Sequence, residues 1–329
     1  MADDTGDGDA GDQQYDVIVV GGGVAGLSAS IFTARHGLAT LVIERGGLSS
    51  GEGVAGDESG SILHRNAHLE NFPGFPAGVD ARLLVEMIED QTDRAGTDRR
   101  QAEVHRVGDT DDGFAVETSA GRFSAEYVIA ATKNETGYLE NIEGVGIVSR
   151  GKAFVDTDER GRTGVAGLYA AGRLAEKPHQ AIVAAGHGAE VAVTLLEDHE
   201  EPFYHDWVAP DGYFTDRGRE LPPGCEEIGD EKRRTREVEA RETLGSYIAE
   251  PHPGEPLTHP SLREEETPRK QIGPVFRARR RATLLPARRS APRRRRRSSS
   301  PAACRGRRRR TGRRRRSTPS GGRKIARSG

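Results

Sequence analysis

The chain has 329 residues with 49 Lys+Arg and 51 Asp+Glu, but the near-balance hides a split: Thr267 to Gly329 holds 25 basic residues and no acidic ones. That leaves 24 basic against 51 acidic residues before Thr267, a body at −27 joined to a tail at +25. Two cysteines, Cys225 and Cys304, are too few for a disulfide framework and form neither a Cys-x-x-Cys nor a zinc pattern. No run of about 18 apolar residues is present to cross a membrane. The acidic, small-residue start is the opposite of a signal peptide, so a cytoplasmic, reducing location is expected. Only four lysines, at 133, 152, 177 and 232, precede Thr267. High negative charge with few lysines is a halophile's composition.

Residues 1–14 carry no periodicity and read as disordered. Tyr15 to Val20 is a short apolar run suited to a buried parallel strand. Val24 to His36 shows helical spacing through Leu27, Ile31 and Ala34, with Gly37 placed as a C-cap. Leu41 to Glu44 reads as a second strand. Residues 45–78, rich in Gly, Ser and Asn, form a long loop of the kind that carries function. Val79 to Ala95 is an amphipathic helix. Ala102 to Val107, Gly113 to Thr118 and Gly121 to Phe123 read as a small antiparallel sheet, and Tyr127 to Ala131 as a core strand. Val165 to Ala170 is one more strand, followed by a helix from Gln180 to Glu197. Pro202 to Gly224 reads as a loop holding Phe203, Tyr204, Trp207, Tyr213 and Phe214, and Glu226 to Tyr247 as a charged helix. Pro251 to Pro260 reads as extended chain.

The strongest chemical signal is Gly21-Gly22-Gly23-Val24-Ala25-Gly26, a Gly-x-Gly-x-x-Gly between a strand and a helix, with Glu44 ending the next strand. Gly21 permits a tight turn, Gly23 lets backbone approach a pyrophosphate, and Gly26 lets the helix pack close to the strand. The helix N-terminus offers unpaired N–H groups to phosphate. Glu44 can accept hydrogen bonds from ribose hydroxyls. Dinucleotide binding follows, though this motif alone does not separate NAD from FAD.

The segment from Asp16 to Ala29 resembles the N-terminus of FAD-dependent pyridine nucleotide-disulfide oxidoreductases. Glu70-Asn-Phe-Pro-Gly-Phe-Pro76 is similar to a segment of the thioredoxin reductases in that family. Gly164 to Gly172 resembles the motif that closes their FAD domain, and Gln180, Ala181 and Ala184 to Gly188 the helix that follows it. The resemblance covers roughly residues 14–197. It implies an α/β fold: a three-layer, Rossmann-like FAD/NAD(P)-binding domain with a parallel sheet and a small antiparallel sheet. It implies FAD as cofactor, with Gly21, Gly23, Val24, Ala25 and Gly26 at the pyrophosphate and Glu44 and Arg45 at the adenosine end. Val104 would reach adenine through its backbone and Asn71 would sit by the flavin or its ribityl chain. Ala131, Gly172 and Arg173 would lie by the ribityl-phosphate, and Gln180 and Ala181 by the isoalloxazine edge. The expected layout is an FAD-binding domain at 15–199, a helix and loop extension at 200–266, and an Arg-rich tail at 267–329.

Three departures qualify the likeness. Thioredoxin reductases insert an NADPH domain where this chain spends about thirty residues, Ala131 to Gly164, no more than one β-α-β unit needs. The redox Cys-x-x-Cys is missing. Lys133 stands where the family's Ala-Thr-Gly has glycine, and Arg173 where its Ala-Gly-Asp has aspartate. The expected activity is therefore hydride or electron transfer at a flavin served by an external donor or acceptor, a nicotinamide nucleotide or a redox protein, with a homodimer as an option. A non-catalytic flavin-binding module and a flavin-dependent reductase of an unsaturated lipid or small molecule are the alternatives. His64 and His68 are the candidate proton donors, although such histidines more often cap or line surfaces. The tail, with arginine blocks at 293–297, 307–310 and 313–316, would bind polyanions such as nucleic acid. Its near-lack of aromatics leaves no base-stacking platform. Its Arg/Pro/Ala/Ser/Gly alphabet fits an out-of-frame reading of a GC-rich gene, with the expected C-terminus near residue 266.

Overall fold

A computed structural model describes residues 13–46, 61–199, 206–222 and 224–257. The acidic N-terminal segment through residue 12, Phe203, Tyr204 and the whole Arg-rich tail lie outside the described residues. Everything described falls in the unit Met1–Lys270.

The central sheet has seven strands. Its first two, β1 (Gln13–Val20) and β2 (Thr40–Glu44), are joined by helix α1 (Val24–His36). Helix α2 (Ala81–Arg94) leads to β3 (Asp98–Gln101), and β4 (Val104–Thr110), β5 (Gly113–Thr118) and β6 (Gly121–Ala130) follow. A short hairpin, β7 (Ile147–Ser149) and β8 (Ala153–Val155), precedes β9 (Leu168–Ala170) and helix α3 (Ala181–Asp198). The sheet order is β3-β2-β1-β6-β5-β4, with β9 also on β6. Strands β3, β2, β1, β6 and β9 run parallel, while β4 and β5 are antiparallel.

Alternation along β1 sorts the core. Val17 and Val19 face α1 and α3 together with Val42, Ile129 and Leu195. Ile18 and Val20 face the opposite layer with Leu41, Ile43, Phe114, Val116 and Leu139. Both faces are covered, so the strands read as continuous apolar runs rather than alternating ones. Helix α1 needs no amphipathic stripe, because α3 and β1 wrap it on two sides. Helix α2 has one wet side and keeps a clear stripe, and Asp80 caps its start by accepting from the backbone N–H groups of Arg82 and Leu83.

The structure changes three details of the sequence reading. The expected strands at 121–123 and 127–131 are one ten-residue strand, β6, which pairs with β1 along its length, with β5 over its first half and with β9 over its last. The antiparallel strands thus continue the parallel sheet through β6. Strand β3 joins the parallel edge beside β2; its Asp-Arg-Arg-Gln text has no apolar residue to announce it. The segment expected to be loop before Gly224 contains β10 (Trp207–Pro210), paired in parallel with β11 (Cys225–Ile228). The Glu227 carboxylate accepts from the N–H groups of Gly212, Phe214 and Thr215, which folds Trp207, Tyr213 and Phe214 into one aromatic cluster. Helix α4 (Asp230–Ile248) buries no residue and lies beside α2 through Arg94–Glu239.

Candidate dinucleotide site

The carboxyl ends of β1, β2, β6 and β9 meet at one edge, the place where open α/β sheets bind ligands. The glycine turn leaves β1 there. Gly21 has φ +117°, and a Cβ on it would lie 2.7 Å from the Ala131 carbonyl oxygen. A Cβ on Gly26 would lie 1.9 Å from the Gly21 carbonyl oxygen, so only glycine lets α1 start this close to β1. A Cβ on Gly23 would meet nothing within 4 Å. The turn is therefore closed behind Gly21 and Gly26 and open in front of Gly23. Val24 and Ala25 are buried at the start of α1, which has no side-chain cap, so its first N–H groups face the opening.

Glu44 folds back over Gly22, where an added Cβ would lie 2.2 Å from its Oε2. The other oxygen, Oε1, is buried and has no hydrogen-bond partner. Burial and the neighbouring Glu89 carboxylate push the Glu44 pKa up to about 8. One cation stands behind it: Arg99 Nη1, buried and 3.9 Å from Glu44 Oε1, with Glu89 Oε2 at 3.3 Å and Asp93 on its Nε at 2.8 Å. Arg45, at the end of β2, pairs with Glu103 at 2.6 Å and Glu135 at 3.0 Å. It opens onto a cleft of about 490 Å³ lined by Gln101, Ala102, Glu103 and Ser119. Val104 directly follows Glu103 of that lining, half-buried, at a bulge where the β4–β5 register shifts.

On the other side of the turn, Gly172 follows β9 and packs against Ala25. Its backbone N–H donates to Nδ1 of His187 at 2.9 Å. Burial, with Lys177 adding to it, holds the His187 pKa down near about 4, so the ring stays neutral and accepts this bond at ordinary pH. Gly188 lets α3 cross α1 closely, since a Cβ there would lie 2.0 Å from the Ala25 carbonyl oxygen. The Asn71 Nδ2 amide donates to the Gln180 side-chain oxygen at 2.8 Å, fastening the loop to the start of α3. Gln180 is the N-cap residue of α3 and Ala181 its first residue. The Arg173 guanidinium lies over the Phe154 ring at 5.3 Å.

Among the expected positions the structure joins three pairs directly: Gly21 with Ala131, Ala25 with Gly172, and Asn71 with Gln180. The histidines fare less well as proton donors. Burial, together with Lys133 and Arg82, lowers the His64 pKa and keeps its ring uncharged at neutral pH. His68 packs its ring against the Gly78 turn. Arg99 and Glu89 escaped sequence reading because no motif marks them; Arg99 reaches Glu44 through the pairing of β3 with β2, and Glu89 from helix α2.

Comparisons with known proteins agree with this geometry. A family model described as FAD dependent oxidoreductase matches residues 16–168. The NADPH-dependent thioredoxin reductase 3 of Arabidopsis thaliana is 34% identical over 116 residues, 35% of this chain and 21% of that protein. The thioredoxin reductase of Treponema pallidum (strain Nichols) is 36% identical over 121 residues, 37% of this chain and 36% of that protein. The matched region spans little more than a third of these relatives at most. The solved thioredoxin reductase from Streptococcus pyogenes MGAS5005 shares the fold with a TM-score of 0.50 at 14% identity, covering 58% of this chain and 99% of that one.

In its nucleotide-binding region the chain is therefore similar to FAD-dependent oxidoreductases and to thioredoxin reductases. FAD is the cofactor of that class, and the residues here fit it. Gly23 leaves the turn open for a pyrophosphate, and the orphaned Glu44 oxygen awaits a hydroxyl donor. Among the described residues no helix is long and apolar enough to cross a membrane, and no cluster of metal-binding side chains occurs.

Proposed function

We propose that residues 15–199 form an FAD-dependent redox unit that exchanges electrons with partners outside the chain. The observation that carries this reading is the buried, unpartnered Glu44 oxygen set over the open glycine turn. An unmade hydrogen bond in a buried site is costly, and ribose hydroxyls are the donors that would satisfy it. Bound there, FAD supplies the ring that accepts and releases electrons. The turn from Gly21 to Gly26 and the start of α1 receive the pyrophosphate, and Arg45 borders the cleft assigned to the adenosine end. Gly172, Asn71 and Gln180 hold the ribityl and flavin end, with the positive end of α3 directed at it.

Before Thr267 the chain has a single cysteine, Cys225, on β11 in the C-terminal extension. No dithiol relay is therefore available within the body, so a bound flavin would have to be served directly by an external donor or acceptor. This proposal places the protein in the cytoplasm. A non-catalytic flavin-binding module is the second reading. It is favoured by Arg173, which occupies the place of the family's aspartate and stacks on Phe154. The neutral His64 weighs against a reductase that needs a ready proton donor.

Anaerobic titration of the purified full chain with NADH and with NADPH separates the readings. Bleaching of the flavin spectrum by one of them is expected. A flavin that neither bleaches contradicts direct nicotinamide reduction and supports the module.

A further inference from the structure

Two buried atoms that lack a hydrogen bond lie near each other beside the glycine turn: Glu44 Oε1 and Arg99 Nη1, 3.9 Å apart. Strand pairing puts them there. Side chains alternate along a strand, so Val42 and Glu44 share a face of β2, and Arg99, opposite Val42 on β3, shares it too. Arg99 is the half-buried residue of β3, whereas Asp98, Arg100 and Gln101 are exposed. Helix α2 brings two carboxylates to the same guanidinium. Asp93 pairs with Nε at 2.8 Å and accepts from Nη2 at 3.4 Å, and Glu89 Oε2 lies 3.3 Å from Nη1. Asp93 therefore engages one edge of the fork and leaves Nη1 within reach of both Glu89 and Glu44. Unmade bonds on a buried donor and a buried acceptor are both costly, and a shift of about 1 Å would bring the pair to ordinary hydrogen-bond distance. Glu44 and Glu89 are both buried. Of the charged groups around Glu44, Glu89 and Asp93 on α2 disfavour its ionised form and Arg99 on β3 favours it. His64, in the turn before α2, feels Glu89 in its turn.

We propose that Arg99 is a positioning residue for the nucleotide: acting on Glu44 Oε1, it holds that carboxylate ionised and in place as an acceptor beside the glycine turn, against the competing Glu89. It rests on the FAD reading of this site and names the group on which the ribose contact depends. An ionised carboxylate oxygen has two lone pairs, so Oε1 takes Arg99 Nη1 and a ribose hydroxyl together. The guanidinium keeps its proton at any working pH, so its charge is a fixed one. A hydrogen bond to an ionised acceptor is about twice as strong as one between neutral partners, so a protonated Glu44 holds ribose more weakly. Burial and Glu89 push the Glu44 pKa up to about 8 in the cofactor-free protein. Cofactor affinity therefore rises with pH toward that value, and Arg99 and Glu89 move the midpoint in opposite directions.

The test uses the full chain, stripped of cofactor, with its Arg99→Gln, Arg99→Lys, Glu89→Gln and Glu44→Gln variants. FAD affinity is read by calorimetry across the pH range around the Glu44 pKa. Protonation of Glu44 is read without FAD, from the infrared band of its carboxyl group, assigned by its loss in Glu44→Gln. The parent is expected to bind FAD about tenfold more weakly at the acid end of the range than at the alkaline end. Arg99→Gln is expected to weaken binding about tenfold at neutral pH and to raise the midpoint of the band; Arg99→Lys, which keeps the charge, is expected to restore both. Glu89→Gln is expected to tighten binding at neutral pH and to lower the midpoint, a gain that damage to the fold would not produce. Where Glu44 is already Gln, Arg99→Gln is expected to change affinity by less than about twofold. An equal cost of Arg99→Gln in both backgrounds would overturn the proposal, and so would a Glu89→Gln that binds FAD no more tightly than the parent. Midpoints that shift as expected in a chain that takes no FAD at any pH would sink the FAD reading and leave the Arg99–Glu44 pairing standing. FAD binding with midpoints that do not move would overturn the pairing and leave the FAD reading standing.

Discussion

Glu44 holds two opposing features: the proposed site uses it as a carboxylate for ribose, yet burial and Glu89 favour its protonated form. A carboxyl raised in the fold stabilises the protein below its unfolded value near 4.5, and that stability is lost as pH rises toward about 8. With His187 offsetting it below its unfolded value near 6.5, the cofactor-free protein should show this loss of thermal stability chiefly from there to about 8, and Glu44→Gln should flatten it, as scanning calorimetry against pH will show. Glu44→Ala should weaken FAD binding by about 1–3 kcal/mol through the lost hydroxyl bonds. Lys133 makes a second residue-scale case. It has φ +63°, left-handed backbone where the family keeps glycine. Lys133→Gly should raise stability by up to about 1 kcal/mol in denaturant titration, strain relief outweighing the added freedom of the unfolded chain. Glu44 was legible from its spacing after the glycine turn. Its electrostatic state was not, because Arg99 and Glu89 reach it from distant parts of the chain.

Two close approaches decide the packing of the elements: Gly26 against the end of β1, and Gly188 against α1. Gly26→Ala places a methyl 1.9 Å from the Gly21 carbonyl oxygen. It should cost about 1–3 kcal/mol by pushing α1 off the strand and lower FAD content with it. The Asn71–Gln180 bond ties the loop to α3. Gln180→Ala should cost about 1 kcal/mol locally, seen as faster hydrogen exchange in residues 61–78 with the exchange of β1 and β6 unchanged. The β1–α1–β2 unit, α2 and α3 were legible because period and punctuation agree in them. Strand β3 was not, since its four polar residues owe their extension to the β2 edge rather than to their own preferences. The same holds for β10 and β11, which each other and the Glu227 cap keep in place.

Across the whole molecule the two perturbed site groups act in opposite senses. His187, depressed toward about 4, contributes stability above its unfolded value near 6.5 and loses it as pH falls. Asp198, held down by its hydrogen bond from Arg162, adds to the acid loss. Glu44 loses its contribution in the opposite direction. The cofactor-free protein should thus be most stable on the acid side of neutrality, and added FAD should move the optimum upward by engaging the ionised Glu44. The central claim is that this chain binds FAD at the open glycine turn. The most direct measurement is the visible spectrum and FAD stoichiometry of the full chain purified in high salt, beside Glu44→Ala. Near-stoichiometric flavin in the parent and markedly less in the variant is the predicted result. A parent that stays colourless after incubation with FAD would contradict the account.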